Sequence, residues 1–193
     1  MATTTQRLAL QDFLKLPNIE ESPAWEFVDG QANQKPIPAA FHSILQKRLT
    51  AAIDQADSSY EAFPELRCIL SSNSVVPDIT VIHQDRVPSE NIAVEGAPDW
   101  MIEILSPDQS TTKLIAKIQT CLQEGTQLGW LIDPGERVII VLWPDTRITL
   151  LRSSDRLPVL EGISLELTVE QVFGWLRRAS CGCVMISFNS CGE

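Results

Sequence analysis

The sequence lacks the apolar segments that would direct a chain into or across a membrane. No stretch approaches the roughly 18 consecutive apolar residues that a transmembrane helix requires. The N-terminus, Met-Ala-Thr-Thr-Thr-Gln-Arg, is polar and has none of the apolar core of a secretory signal peptide. The sequence therefore predicts a cytoplasmic protein with no membrane partner.

Several common catalytic and nucleotide-binding motifs are also absent. There is no Gly-Lys-Ser/Thr phosphate loop and no Gly-x-Gly-x-x-Gly fingerprint, and we expect no organic cofactor. The Gly-x-Ser-x-Gly motif of serine hydrolases is missing as well. With only 2 histidines and no His-Glu-x-x-His, the chain cannot form the common zinc-protease site.

Basic residues are few. The chain has 15 Lys and Arg against 25 Asp and Glu, a net charge of −10. This excess of acid argues against indiscriminate binding of nucleic acid, because such affinity comes from many Lys and Arg contacts with phosphates. The excess of acidic residues is nevertheless compatible with a nuclease whose site is neutralised by a metal ion. Holding duplex DNA would then call for a partner, a second subunit or a locally basic face.

Cysteine usage argues against a secreted disulfide framework, because the chain is long and its count of 5 is odd. Cys68 and Cys121 lie in apolar surroundings and are predicted to be buried thiols. Cys181, Cys183 and Cys191 crowd into the C-terminus, with a spacing that matches no usual zinc pattern and no nearby His. A metal-binding tail is the alternative, but we expect a weakly ordered tail over 179–193.

The 193 residues are the length of one ordinary domain, which we place at 1–178. Hydrophobic periodicity and turn signals predict helices at 8–16, 39–54, 108–124 and 168–178, and strands at 25–31, 65–70, 75–82, 99–107, 130–143 (a hairpin), 148–151 and 159–160. The segment 84–98 is predicted to be a loop. This mixed order favours an α/β or α+β fold in which one dominant, mixed central β-sheet is flanked by α-helices.

Two carboxylates stand in unusually apolar strands. Asp78 lies in Val75–Ile82 and Glu103 lies in Asp99–Pro107. A buried ionised carboxylate is costly unless a cation or hydrogen bonds compensate it. Matching positions on adjacent strands lie about 5 Å apart, so the two acids could share one Mg²⁺ or Mn²⁺ ion, with the Leu105 carbonyl as a third oxygen. The pattern points to metal-assisted phosphodiester chemistry.

Three further residues are candidates for the same site. Lys117 lies on the helix after the Glu103 strand, where an ammonium could stabilise developing charge; the alternative is a solvated helix lysine. Glu26 stands between two apolar residues of a strand and could face the pocket, or it could be an exposed strand acid. His42 opens an apolar-striped helix and is either a pocket residue or a hydrogen-bonded structural histidine. Asp78 and Glu103 also have ordinary alternatives, as a turn cap and a paired surface acid.

The order of these motifs resembles the restriction endonucleases of the Uma-two family, common in cyanobacteria, within the PD-(D/E)XK nuclease superfamily. The resemblance covers about residues 8–152. The motifs that carry it are Trp25-Glu26-Phe27-Val28-Asp29-Gly30, His42, Val76-Pro77-Asp78-Ile79, the block from Glu95 to Pro107, Lys117, and Gly129-Trp130-Leu131-Ile132-Asp133-Pro134.

The resemblance implies a restriction-endonuclease-like core and maps the metal-binding acids onto Asp78 and Glu103. The superfamily's usual lysine would stand at Leu105, and the resemblance places it instead at Lys117 on the next helix. The family's upstream acid and histidine map onto Glu26 and His42. Two positions depart from the family pattern: Gln31 replaces a usual Glu, and Cys121 replaces a usual aromatic.

The sequence as a whole therefore predicts a divalent-metal-dependent DNA endonuclease. A homodimer is expected, because two active sites are needed to cut both strands symmetrically. The alternative is a catalytically inactive, nuclease-like module that binds nucleic acid or a protein partner, an interpretation that the net acidity and the displaced lysine favour.

Overall fold

The computed structural model describes residues 9–107 and 109–177. Its helices are α1 (Leu10–Phe13), α2 (Ala40–Asp54), α3 (Thr111–Gln123) and α4 (Val169–Gly174). Its strands are β1 (Trp25–Val28), β2 (Gln31–Gln34), β3 (Tyr60–Pro64), β4 (Cys68–Ile69), β5 (Ser74–Val75), β6 (Ile79–His83), β7 (Val94–Glu95), β8 (Trp100–Ile104), β9 (Leu128–Asp133), β10 (Val138–Leu142) and β11 (Ile148–Leu151). The predicted tail, with Cys181, Cys183 and Cys191, lies outside the described residues.

The larger sheet has six strands in the order β11-β10-β9-β8-β6-β3. It is mixed, because β8 and β9 run parallel while the other neighbours are antiparallel. Helix α3 makes the crossover between the two parallel strands. Since strand side chains alternate between faces, Trp100 and Ile102 pack with α2 and α4, whereas Met101 packs with α3. The predicted mixed α/β fold, with helices flanking a central sheet, is confirmed.

A second sheet has five short strands in the order β2-β1-β5-β4-β7. Its β1–β2 hairpin turns at Asp29 and Gly30, whose φ angles are 51° and 77°. Positive φ at both central residues is typical of a tight hairpin turn, and Gly30 adopts it without a Cβ clash. Strand β1 then pairs with β5 through Phe27 and Ser74. The smaller sheet thus brings β1, with its acidic residue Glu26, beside the larger sheet.

The prediction of one continuous strand over 75–82 is wrong. The chain forms β5 in the smaller sheet as far as Val75. It leaves that sheet over Val76-Pro77-Asp78 and then forms β6 in the larger sheet. Pro77 has no N–H for a strand ladder, which favours a break at this point. The six-stranded sheet is the predicted central sheet, and the smaller sheet that the chain leaves here is an addition to it.

Other elements match the predictions unevenly. The predicted helices at 39–54 and 108–124 are confirmed as α2 and α3, and Ser110 caps α3 by accepting a bond from the Lys113 amide. The strand β3 was not predicted, the predicted strand at 65–70 shrinks to β4, and none forms at 159–160. Burial of the two predicted core thiols, Cys68 and Cys121, is confirmed.

One glycine sets the distance between α3 and the larger sheet. A Cβ at Gly129 of β9 would overlap the γ2 methyl of Ile118 on α3. We expect Gly129→Ala to lower the free energy of unfolding by about 1–3 kcal/mol, because overpacking a filled core forces the helix away. Urea denaturation measures the change. Gly174→Ala is the matched control, because a Cβ there meets no atom within 4 Å. Equal stabilities for the two variants would contradict this account of the packing.

Among the described residues, the helices are all too short or too polar to cross a membrane.

Candidate active site

The sheet break places Asp78 directly opposite Glu103. Strands β6 and β8 are antiparallel, with Ile79 paired to Ile102 and Thr80 to Met101. Extending that register by one position pairs Asp78 with Glu103. Because both strands alternate, the two acids lie on the same sheet face as Thr80 and Met101, the face covered by α3. The two carboxylates are therefore neighbours on adjacent strands, as the site hypothesis requires.

Asp78 is buried, with its side chain 3 % exposed, and both its oxygens have partners. Oδ1 lies 2.7 Å from the Lys35 Nζ and 3.4 Å from the His42 Nε2. Oδ2 accepts a 2.7 Å hydrogen bond from the backbone amide of Ile104. Burial alone would raise the pKa of this carboxyl, but Lys35 and His42 outweigh it and hold the pKa well below its usual value. Asp78 is accordingly ionised in the folded protein.

Glu103 is the more weakly compensated acid. Its Oε1 lies 2.7 Å from the Lys117 Nζ, yet this buried oxygen makes no hydrogen bond of good geometry. Burial raises the pKa of Glu103 to about 7, and the nearby Asp78 acts in the same direction, while Lys117 opposes both. A buried carboxylate oxygen without a directed partner is suited to receiving a cation.

Lys117 is held between two carboxylates. Its ammonium contacts Oε1 of Glu26 as well as Oε1 of Glu103, and it lies 3.5 Å from the Val76 carbonyl. Glu26 in turn accepts a 2.6 Å bond from the Val76 amide, which ties β1 to the sheet break. Although burial disfavours the charged amine, Glu103 and Glu26 raise the pKa of Lys117 above its usual value. Lys117 is therefore a fully charged, buried ammonium.

The structure brings five of the six predicted site residues into one connected cluster: Glu26, His42, Asp78, Glu103 and Lys117. His42 also lies 3.4 Å, through Nδ1, from the Ser106 Oγ. The sixth residue, Leu105, continues the pairing of β8, since its amide donates to the Ile132 carbonyl. Its half-buried side chain packs on the face covered by α3.

Sequence reasoning missed Lys35. It stands after the β1–β2 hairpin, and its amide donates to the Ala24 carbonyl. Its Nζ donates to both Asp78 Oδ1 and the Val76 carbonyl at 2.7 Å. A lysine in a polar stretch before Pro36 carries no periodic signal, so only the hairpin register and the sheet break together could have located it.

A cleft of about 580 Å³ opens onto this cluster. Its lining includes Glu26, Lys35, Glu103, Lys113 and Lys117. With all three of its carboxylates ionised, the cluster and its two ammonium groups carry a charge of −1 without His42. A cleft with buried acids at its base and lysines on its walls can accept both a cation and an anionic ligand.

The donor set fits a hard divalent cation. Carboxylate oxygens are the ligands that Mg²⁺ prefers, and Mg²⁺ commonly takes one or two of them while phosphate and water complete its shell. Within 9–107 and 109–177, no group of three His, Cys, Asp or Glu side chains forms a complete metal centre. Asp78 and Glu103 would therefore provide only part of the coordination shell.

Comparison with known proteins decides the family. A family model described as Uma2, "Putative restriction endonuclease", matches residues 10–170. The chain belongs to the Uma2 family. It is also similar to the crystal structure of a "putative nuclease" from Anabaena variabilis, with 41 % sequence identity and a TM-score of 0.82. The similarity covers 88 % of this chain and 99 % of the other. No curated protein matches the chain.

The Uma2 match confirms the family that the sequence motifs indicated, and the Anabaena structure confirms the fold class. Residues 10–170 contain the whole cluster, from Glu26 on β1 to Lys117 on α3. The Uma2 region also includes Lys35, which the motif comparison did not single out.

Proposed function

We propose that this protein is a divalent-metal-dependent endonuclease that hydrolyses phosphodiester bonds in DNA. The observation that carries the proposal is the register of β6 and β8, whose continuation sets Asp78 opposite Glu103, with the Lys117 ammonium 2.7 Å from Glu103. The descriptions of the Uma2 family and of the Anabaena protein support the same class of activity.

Each residue of the cluster has a role in this proposal. Asp78 and Glu103 would hold Mg²⁺ or Mn²⁺, with the Leu105 carbonyl as a further oxygen. The ion, when bound, polarises a phosphoryl oxygen and lowers the pKa of a bound water. Lys117 stabilises negative charge that develops on the phosphoryl group, because its ammonium is buried in a low-dielectric site.

Glu26 and His42 position the reacting groups. Glu26 accepts from the Val76 amide and contacts the Lys117 ammonium, so it fixes the lysine against the end of β5. His42 reaches from α2 to Asp78 Oδ1, which orients that carboxylate toward Glu103. The protein's contribution is therefore to hold two acids and one ammonium in a fixed arrangement before substrate arrives.

Duplex DNA has two strands, and we propose a homodimer that places one cluster on each. The cleft lining carries three lysines, Lys35, Lys113 and Lys117, against three acids, Glu26, Asp29 and Glu103, so it is far less acidic than the whole chain with its net charge of −10. Electrostatic attraction in a cleft depends on the local charges that line it more than on the total.

A second candidate function is a catalytically inactive module that binds nucleic acid or a protein. It is favoured by one observation: Lys35 and Lys117 are both already paired with carboxylates, which lowers the attraction that they offer to phosphate. This candidate predicts binding of a partner without bond cleavage.

Plasmid nicking distinguishes the two functions. We expect the purified protein to convert supercoiled plasmid to the open-circular form with Mg²⁺ or Mn²⁺, because the acids would then hold the ion that activates water. Excess EDTA should stop the reaction, and added Mg²⁺ should restore it. Agarose gel electrophoresis measures the conversion. A folded protein that shifts DNA on a native gel, yet leaves plasmid intact with either metal, would contradict the nuclease proposal.

A further inference from the structure

Lys35 is the cation closest to Asp78, and the proposed function makes no use of that contact. Its side chain is 6 % exposed, and its Nζ lies 2.7 Å from both Asp78 Oδ1 and the Val76 carbonyl. A buried ammonium is costly without compensation, so these two contacts are what keep it inside the protein. Despite the burial, Asp78 and the other acids raise the pKa of Lys35, which is therefore charged.

The contacts of Asp78 leave little room for another cation. Oδ2 accepts from the Ile104 amide, while Oδ1 faces both the Lys35 ammonium and the His42 ring. A divalent ion between Asp78 and Glu103 would need lone pairs that these groups now occupy, and two positive charges at one oxygen repel each other. Binding of the ion and retention of the Lys35 contact therefore compete.

Lys35 and Lys117 differ in the carboxylate partners that they would retain after a metal ion binds. Lys117 contacts Glu26 in addition to Glu103, so it retains a carboxylate partner if Glu103 turns to an ion. Among the described ion pairs of Lys35, the only other carboxylate is Glu65, whose Oε1 lies 4.0 Å away and whose side chain is 41 % exposed. Lys35 is thus the lysine that a metal would displace.

We propose that Lys35 is an internal counter-ion, which occupies Asp78 in the metal-free protein and leaves it when a divalent cation binds. The inference rests on the proposed function, because it takes Asp78 to be a metal ligand. Lys35 lines the same cleft as Lys113, so the released ammonium stays where an anionic substrate would lie. The arrangement stabilises the empty site and lowers its affinity for the ion.

Titration with Mn²⁺ in the absence of DNA tests the competition. The Lys35→Gln variant keeps an N–H donor for the site but removes the charge, so its Kd for Mn²⁺ should fall by about tenfold or more relative to the wild type. Lys47→Gln is the matched control, because it removes the same charge from an exposed lysine of α2 that does not line the cleft. Its Kd should stay within about twofold of the wild type. Isothermal calorimetry measures both.

A second measurement uses the wild-type protein and does not depend on the stability of the variant. Reductive methylation followed by peptide mass spectrometry should show Lys35 protected in EDTA and increasingly modified as Mn²⁺ occupies the site. Lys113, which is exposed, should react equally in both conditions and serves as the internal reference. Bound Mn²⁺ with unchanged protection of Lys35 would overturn the inference.

The outcomes separate this inference from the proposed function. If the wild type nicks plasmid with Mn²⁺ while the Lys35→Gln variant binds Mn²⁺ no more tightly, the counter-ion role fails and the nuclease stands. If neither protein binds Mn²⁺, both fail, because Asp78 is then not a metal ligand. If the Lys35→Gln variant binds Mn²⁺ and the wild type does not, the result supports the counter-ion role most strongly.

Discussion

Replacing Glu103 with glutamine is expected to lower the rate of metal-dependent plasmid nicking by about 100-fold or more, while the protein stays folded. The loss follows from removing a charged metal ligand, since a bound ion contributes several kcal/mol of transition-state stabilisation. The fold should survive because burial already disfavours the charged form of Glu103 and raises its pKa to about 7. Lys117 also keeps Glu26 as a partner. Initial nicking rates and circular dichroism provide the measurements.

Glu61→Gln is the matched control for that variant. Glu61 is an exposed acid on β3, and the substitution changes net charge by the same amount at a position that pairs with Ile82, beyond the cluster. Its nicking rate should remain within about twofold of the wild type. A folded Glu103→Gln protein that nicks plasmid as fast as this control would remove Glu103 from the proposed metal site.

Replacing Lys117 with methionine is expected to have the largest effect on stability. The substitution leaves Glu103 and Glu26 buried without their shared ammonium, and breaking a buried ion pair in this way costs about 3–5 kcal/mol. Guanidinium denaturation measures the free energy of unfolding. Lys113→Met removes a lysine from the exposed face of the same helix and should change stability by no more than about 0.5 kcal/mol.

The double variant Lys117→Met with Glu103→Gln tests the cause of that loss. Removing the uncompensated acid should restore part of the stability, so that the two substitutions are strongly non-additive. Additive losses would show that Lys117 stabilises the protein through packing and not through its charge.

The contribution of Glu103 to the free energy of unfolding depends on pH with a defined sign. The pKa of Glu103 is raised from 4.5 to about 7 in the folded protein, so the folded state binds more protons than the unfolded state between those values. Glu103 therefore lowers stability as the pH rises through that window. The Lys117→Met variant removes the opposing ammonium and should be least destabilised in acid.

Most residues of the candidate site could be predicted from the sequence, because buried charges are rare. Asp78 and Glu103 stood out as single acids in apolar runs, and the cost of burying them called for a nearby cation. Lys117 was a candidate because it lies on the helix after the Glu103 strand. The apolar spacing of that helix predicted α3 correctly. The order of the motifs that contain these residues also indicated the Uma2 family, which the family match confirms.

The path of the chain around Asp78 was not predictable in the same way. Local propensity favoured one strand over 75–82, whereas the chain leaves one sheet after Val75 and enters another at Ile79. Which sheet a short apolar segment joins depends on partners far away in sequence, such as Phe27 for β5 and Met101 for β6. Such pairings leave no periodic signal within the segment itself.

The amino-acid sequence by itself determined which groups had to be compensated: two acids in apolar strands, a helix that carries a lysine, and the motifs of one protein family. Only the tertiary structure decided what compensates them. Asp78 meets Lys35 from the hairpin and His42 from α2, while Glu103 meets Lys117, which Glu26 also holds. The reason is that hydrophobic burial depends on residue type and local pattern, whereas the partner of a buried charge depends on the register and crossing of distant strands.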